Sequence, residues 1–168
     1  MMNKNVLLID DEAAIRRNVS MGLMQQGYHT EPCENGMKGL ETLETLMKRK
    51  MPLKCAIVDV RLPDIDGLKL LKVIKANYPD LPVILITGYG SDTIAHEAKS
   101  QKVDAYIEKP FSVDELAKVL ESIPTETKGE DISTATPKAK PIQAQSTTAY
   151  ALLTLTNDAN LLNVYRTI

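Results

Sequence analysis

Short apolar runs recur at residues 4–9 (KNVLLI), 28–33 (YHTEPC), 55–59 (CAIVD), 82–87 (PVILIT) and 105–108 (AYIE), each of strand length. Between them, apolar residues return with the period of an α-helix. The alternation predicts repeated strand and helix units, hence a parallel sheet with right-handed crossovers. A first helix is expected from about Glu12 to Gln26, with Ile15, Val19, Gly22 and Leu23 on one face and Gly27 as its stop. A second runs from about Gly36 to Arg49 behind Asn35 and presents Met37, Leu40, Leu43, Leu46 and Met47. A third covers about Leu68 to Tyr78, burying Leu70, Leu71 and Ile74 until Pro79 forbids continuation. The fourth, about Ser91 to Ser100, has only Ile94, Ala95 and Ala98 as apolar anchors, which makes it a candidate for movement. The fifth starts at Ser112, carries Asp114 and Glu115 in its first turn and buries Val113, Leu116, Val119 and Leu120 before Pro124.

Beyond residue 123 the pattern fades. Residues 124–148 are rich in Thr, Ala, Pro, Lys and Gln with almost no large apolar side chain, as in a flexible linker. Residues 149–168 regain hydrophobicity, and Leu161, Leu162, Tyr165 and Ile168 fall on one side of a short helix from Asp158, too small to fold alone. The expected organisation is one domain over 1–123, a linker, and a segment that docks on a partner or has been cut from something longer.

Composition narrows the class. A chain of 168 residues, 43% hydrophobic and 25% charged, suits one packed domain with material left over, and its net charge of -2 offers no footprint for nucleic acid. With no Trp and one Phe, the core must come from aliphatic residues and Met, and Met1, Met2, Met21, Met24, Met37, Met47 and Met51, mostly at helical spacing or the terminus, read as core filling. Cys33 and Cys55 lack metal or redox spacing and read as reduced thiols. The first apolar run is too short for a signal peptide or membrane span, so a cytoplasmic protein without membrane contact is expected. His29 and His96 show no metal-ligand spacing and read as surface or packing residues.

Chemistry gathers at the strand ends. Asp10 and Asp11 follow the first run, Asp59 ends the third, Thr87 ends the fourth and Lys109 follows the fifth. In an open parallel sheet the carboxyl ends of the strands share one edge, so these residues converge. A carboxylate that attacks phosphorus becomes an acyl phosphate, and its surroundings must neutralise the phosphoryl charge. Mg2+ and a lysine fit that need: Asp11 and Asp59 as direct ligands, Asp10 through water, the backbone carbonyl of Arg61, and Lys109 as counter-charge. Each residue alone has a plainer reading. Asp10, Asp11 and Glu12 could simply start a helix, Asp59 could stop a strand, Thr87 with Gly88 could be a turn, and Lys109 a solvated strand end. Their joint occurrence at successive strand ends is what points to a site.

The strings IDDE at 9–12, VDVRLPDIDG at 58–67, ITGYG at 86–90 and YIEKPF at 106–111 resemble the receiver domain of bacterial two-component response regulators, over about Lys4 to Ser122. The resemblance implies an α/β, flavodoxin-like, doubly wound fold: a five-stranded parallel sheet in order 2-1-3-4-5 with helices on both faces. It implies that Asp59 accepts a phosphoryl group from a phosphohistidine on a sensor histidine kinase or histidine phosphotransfer protein, with Mg2+ held by the acidic pair. Such a module catalyses its own phosphorylation and slow dephosphorylation rather than turning over steadily. Thr87 and Tyr106 would form the switch, Thr87 closing on the phosphoryl oxygen and Tyr106 turning into the vacated space. That would change the surface of the fourth helix, fifth strand and fifth helix, through which a homodimer would form. Lys109 and Pro110 match the family's cis peptide. Arg61 and Tyr89 stand beside the attacking water in related domains, where their bulk should slow hydrolysis.

Departures are few: Lys102, Val103 and Ala105 replace the family's usual Gly-Ala and Asp around the fifth strand. Ser91 and the ITGYG and EKPF strings look most like receivers of transcriptional activators that carry an ATPase module, so a fragment of a larger transcriptional regulator is one reading. A Mg-dependent aspartate-nucleophile phosphohydrolase is another, since it uses the same residue types. Its nucleophile normally sits in an Asp-x-Asp pair on the first strand; here the paired acids come first and position 61 is Arg. Direct nucleic acid binding is not expected, because the residues after Pro124 lack the length and basic charge of a reader domain.

Overall fold

The computed structural model describes residues 4–88 and 103–124. The expected fourth helix, the linker and the final hydrophobic segment lie outside them, with Tyr89, Ser91, His96, Met1 and Met2. The elements are β1 (Asn5–Ile9), α1 (Ala13–Gln25), β2 (His29–Cys33), α2 (Gly36–Lys48), β3 (Cys55–Asp59), α3 (Gly67–Asn77), β4 (Val83–Thr87), β5 (Ala105–Glu108) and a closing helix (Val113–Ser122). The strands form one sheet in the order β2-β1-β3-β4-β5, every neighbouring pair parallel. This is the topology that the sequence resemblance implies.

Every residue of β3 and β4 is buried, as continuous apolar strands covered on both faces must be. Val6 and Leu8 of β1 pack with Val19 and Leu23 of α1 and with Leu116 and Leu120 of the closing helix. Ile9, pointing to the opposite face, meets α2 so closely that a Cβ on Gly39 would collide with its side chain. Gly22 plays the matching part on the first face, where an added Cβ would come within 2.6 Å of Val113 on the closing helix.

Local chemistry sets the helix ends. Asn35 accepts a 2.8 Å hydrogen bond from the Lys38 N–H, Asp66 accepts from Leu68 and Lys69, and Ser112 forms a reciprocal capping box with Glu115. Gly27, at φ +80, ends α1 in the left-handed conformation that glycine adopts without penalty. Two methionines correct the expectation from sequence. Met21 is 60% exposed and Met24 67%, because α1 turns Val19 and Leu23 inward and leaves those positions off the apolar stripe; Met37, Met47 and Met51 are partly buried. Cys33 and Cys55 are free and buried, and burial pushes the Cys55 thiol up to about 12, so it stays protonated. His29 is exposed beside Glu31. Among the described residues, no helix is long and apolar enough to cross a membrane.

The segment between β3 and α3 is fastened at both ends. Asp64 accepts the Gly36 and Met37 N–H groups at 2.9 and 2.8 Å, at the start of α2. Gly67 donates to the Val60 carbonyl at 2.8 Å, and a Cβ there would strike the Asp59 carbonyl oxygen and lie 2.6 Å from Val60 Cα. Backbone cannot step aside as a side chain can, so Gly67→Ala is expected to cost about 1–3 kcal/mol in urea denaturation, as overpacking does. An unchanged denaturation midpoint would show that the loop yields freely.

Candidate functional site

The edge formed by the strand carboxyl ends is built by extending the parallel ladder one residue past each strand. The Asp10 N–H donates to the Cys33 carbonyl at 3.1 Å, the Val60 N–H to Ile86 at 2.9 Å, and the Lys109 N–H to Thr87 at 2.7 Å. These bonds fix the backbone from which the polar side chains project. Asp10, Asp59 and Thr87 are buried, while Asp11 is exposed at the rim. The peptide between Lys109 and Pro110 is cis, as the resemblance implies.

The Lys109 ammonium stands among three carboxylates. Its Nζ lies 2.5 Å from Asp59 Oδ2, 2.9 Å from Glu12 Oε1 and 3.1 Å from Asp10 Oδ2. The contact with Asp10 is an ion pair whose direction leaves Oδ2 buried without a hydrogen bond. The other oxygens are held by backbone: Asp59 Oδ1 accepts the Arg61 N–H at 2.9 Å, and Asp10 Oδ1 accepts the Glu12 N–H at 2.8 Å. Arg16 Nη1 donates to the Asp10 carbonyl at 2.6 Å.

Burial pushes the Asp10 carboxyl above its ordinary range, against the pull of the Glu12 N–H and Lys109. For Lys109, burial opposes the charge, but the contacts with Asp59, Glu12 and Asp10 outweigh it and hold the ammonium above the ordinary lysine value.

The structure thus brings together Asp10, Asp11, Asp59 and Lys109. Carboxylate oxygens of the three acids lie within 4.8 Å of one another. An all-oxygen donor set, open at Asp11 and containing one orphaned buried oxygen, fits a hard divalent cation that retains water. Arg61 is drawn in through its N–H, and its backbone pairs with that of Asp66 in a single antiparallel bridge. Thr87 is buried at the end of β4, whereas Tyr106 is 39% exposed on β5. Glu12 stands in the sequence where a helix starts, yet its side chain caps nothing and pairs with Lys109 instead. The only hint in the sequence is its place directly after the acidic pair. A cleft of about 430 Å3 opens beside this cluster, with Glu12, Asn18 and Lys109 among its polar wall and Ile15, Phe111 and Val113 among its apolar wall.

Comparison with known proteins gives one answer. The model of the response regulator receiver domain family matches residues 6–121. An NtrX-like response regulator of Rickettsia felis is 35% identical over 122 residues, which make up 71% of this chain and 25% of that protein. The chain spans about a quarter of the length of the NtrX-like relatives it matches. Among solved structures, a CheY-like receiver domain protein from Methanospirillum hungatei is 29% identical with a TM-score of 0.64, over 70% of this chain and 90% of that one. The beryllofluoride-activated NtrC4 receiver domain dimer is 35% identical with a TM-score of 0.61, over 70% of this chain and 93% of that one.

A carboxyl whose folded pKa lies above its unfolded value costs stability once the pH passes the unfolded value, and the full amount above the folded one. Asp10→Asn, without added divalent cation, is therefore expected to raise the melting temperature at pH 7 by a few degrees, for a gain of about 1 kcal/mol. The advantage should fade as the pH falls into the ordinary carboxylate range. Thermal unfolding from pH 7 to pH 4 measures this, and a lower melting temperature at neutral pH would contradict it.

Proposed function

The chain belongs to the response regulator receiver family, and from that membership we propose that Asp59 accepts a phosphoryl group from a phosphohistidine donor and thereby switches a protein-interaction surface. The observation that carries the reading is the buried Asp59 carboxylate at a strand end, in contact with Lys109 and within a cation's reach of Asp10 and Asp11.

In the transfer, an Asp59 oxygen forms a bond to phosphorus as the bond from phosphorus to the donor nitrogen breaks. The imidazole leaves with the electron pair and takes a proton from solvent. Lys109 can balance charge on the phosphoryl oxygens, and the Arg61 N–H keeps the Asp59 carboxylate from rotating. Mg2+, held by Asp11 and Asp59 directly, by Asp10 through water and by the Arg61 carbonyl, would neutralise phosphoryl charge when bound.

Thr87, buried one strand away, closes on the phosphoryl oxygen in this reading, and Tyr106 turns inward from its exposed position. The affected surface comprises the expected fourth helix, β5 and the closing helix, and it is where a homodimer would form in this reading; that the NtrC4 receiver is a dimer supports dimer formation as such. The partner upstream is a sensor histidine kinase or a histidine phosphotransfer protein, which suits a module working in the cytoplasm. This is a signalling module; slow autodephosphorylation returns it to rest.

Incubation with acetyl phosphate and Mg2+ should label the wild type with one phosphoryl group per chain, and Asp59→Asn or chelation should abolish the label. No label dependent on Asp59 would end the receiver reading, and many phosphates released per chain would favour a phosphohydrolase. Small replacements at both Arg61 and Tyr89 should shorten the half-life of the phosphorylated form several-fold, by opening the path of the attacking water. An unchanged half-life would remove both from that role.

A further inference from the structure

We propose that Glu12 is a positioning residue for phosphoryl transfer: it holds the Lys109 ammonium in the resting site and gives it up as the phosphoryl group approaches, so Glu12 sets how readily Asp59 is phosphorylated. The inference rests on Asp59 being the phosphoacceptor. A lysine has three N–H donors, and Lys109 gives two of them to Asp59 and Glu12, at 2.5 and 2.9 Å, while its ammonium also stands 3.1 Å from Asp10. An incoming phosphoryl group brings further oxygens to an ammonium with one N–H left, so it competes with the carboxylates already bound there.

Asp10 cannot retreat, because it is fully buried and its Oδ1 is tied to the Glu12 N–H. Asp59 is the reacting group, and its side chain is only 4% exposed. Glu12 is the partner that water can solvate, with its side chain 57% exposed. It is also free to swing. Its backbone stays anchored, the N–H on Asp10 and the carbonyl accepting the Arg16 N–H at 3.0 Å, while the side chain has no capping bond to lose. Both Glu12 and Lys109 line the cleft beside the site, so the exchange would happen where a donor can reach.

Glu12→Gln and Glu12→Ala in the full chain weaken the resting partner without touching the reacting carboxylate. Both should bind beryllofluoride with Mg2+ more tightly, by roughly two- to fivefold as an exposed ion pair allows, read from amide chemical shifts. Both should also be phosphorylated faster by the same factor with acetyl phosphate and with the less charged phosphoramidate, and the gain should persist at high salt. A gain that follows donor charge and vanishes with salt would overturn the proposal, since Glu12 would then act only as a repelling surface charge. Unchanged affinity and rate in both variants, with the wild type labelled on Asp59, would overturn it while leaving the receiver reading intact. A wild type that takes no label on Asp59 would end both. Melting temperatures near the wild-type value tie the effects to the site rather than to the fold.

Discussion

Three carboxylates converge on the carboxyl edge of the sheet, and the Lys109 ammonium is what allows them to remain there. Two of them are buried, and a buried carboxylate without a counter-charge either takes up a proton or destabilises the fold. Lys109 contacts Asp10, Asp59 and Glu12 at once, so a single cation serves acids contributed by two segments far apart in the chain. Its own backbone is pinned to Thr87, which joins β5 to β4 at the same edge. Charge balance and strand pairing therefore depend on each other.

The scaffold beneath is rigid where the chemistry needs it. Asp59 is the last residue of a fully buried strand, and the loop leaving it is clamped by Gly67 against Val60 and by Asp64 on the start of α2. Asp64 does what an N-cap residue does, but from another loop: its two oxygens take two of the N–H groups that the first turn of α2 leaves unpaired. An anion at that helix start also suits the helix dipole. The loop leaving Asp59 is thus held by a helix that makes no contact with the acidic cluster among the bonds described.

The strands and the acidic cluster are legible in the sequence because both rest on short-range regularities. Apolar runs bounded by polar residues locate strand ends, and in a parallel sheet strand ends define one edge, so Asp10, Asp11, Asp59, Thr87 and Lys109 group together without coordinates. Side-chain direction is not legible in the same way. Glu12 has the place of helix-start chemistry, and only the structure shows it turned toward Lys109, which lies 97 residues away in the chain. Asp64 has the place of a loop acid, since nothing local says that Gly36 and Met37 come within its reach. Met21 and Met24 share the helical spacing of core residues, but helical spacing alone does not say which stripe faces inward.

Asp10 shows why this site is costly to the fold. One of its oxygens is buried with no hydrogen bond, and its carboxyl is pushed above the ordinary range by that burial. A core built for stability alone would place an apolar or neutral residue there. Retaining the charge makes sense if the missing partner arrives from solution, because a ligand that binds only the folded state adds stability in proportion to the logarithm of its occupancy. The orphaned oxygen of Asp10, the exposed oxygens of Asp11 and the Asp59 carboxylate form such an incomplete shell. A divalent ion completing this shell would couple its binding to folding at this edge, because it would relieve the burial that Asp10 bears alone.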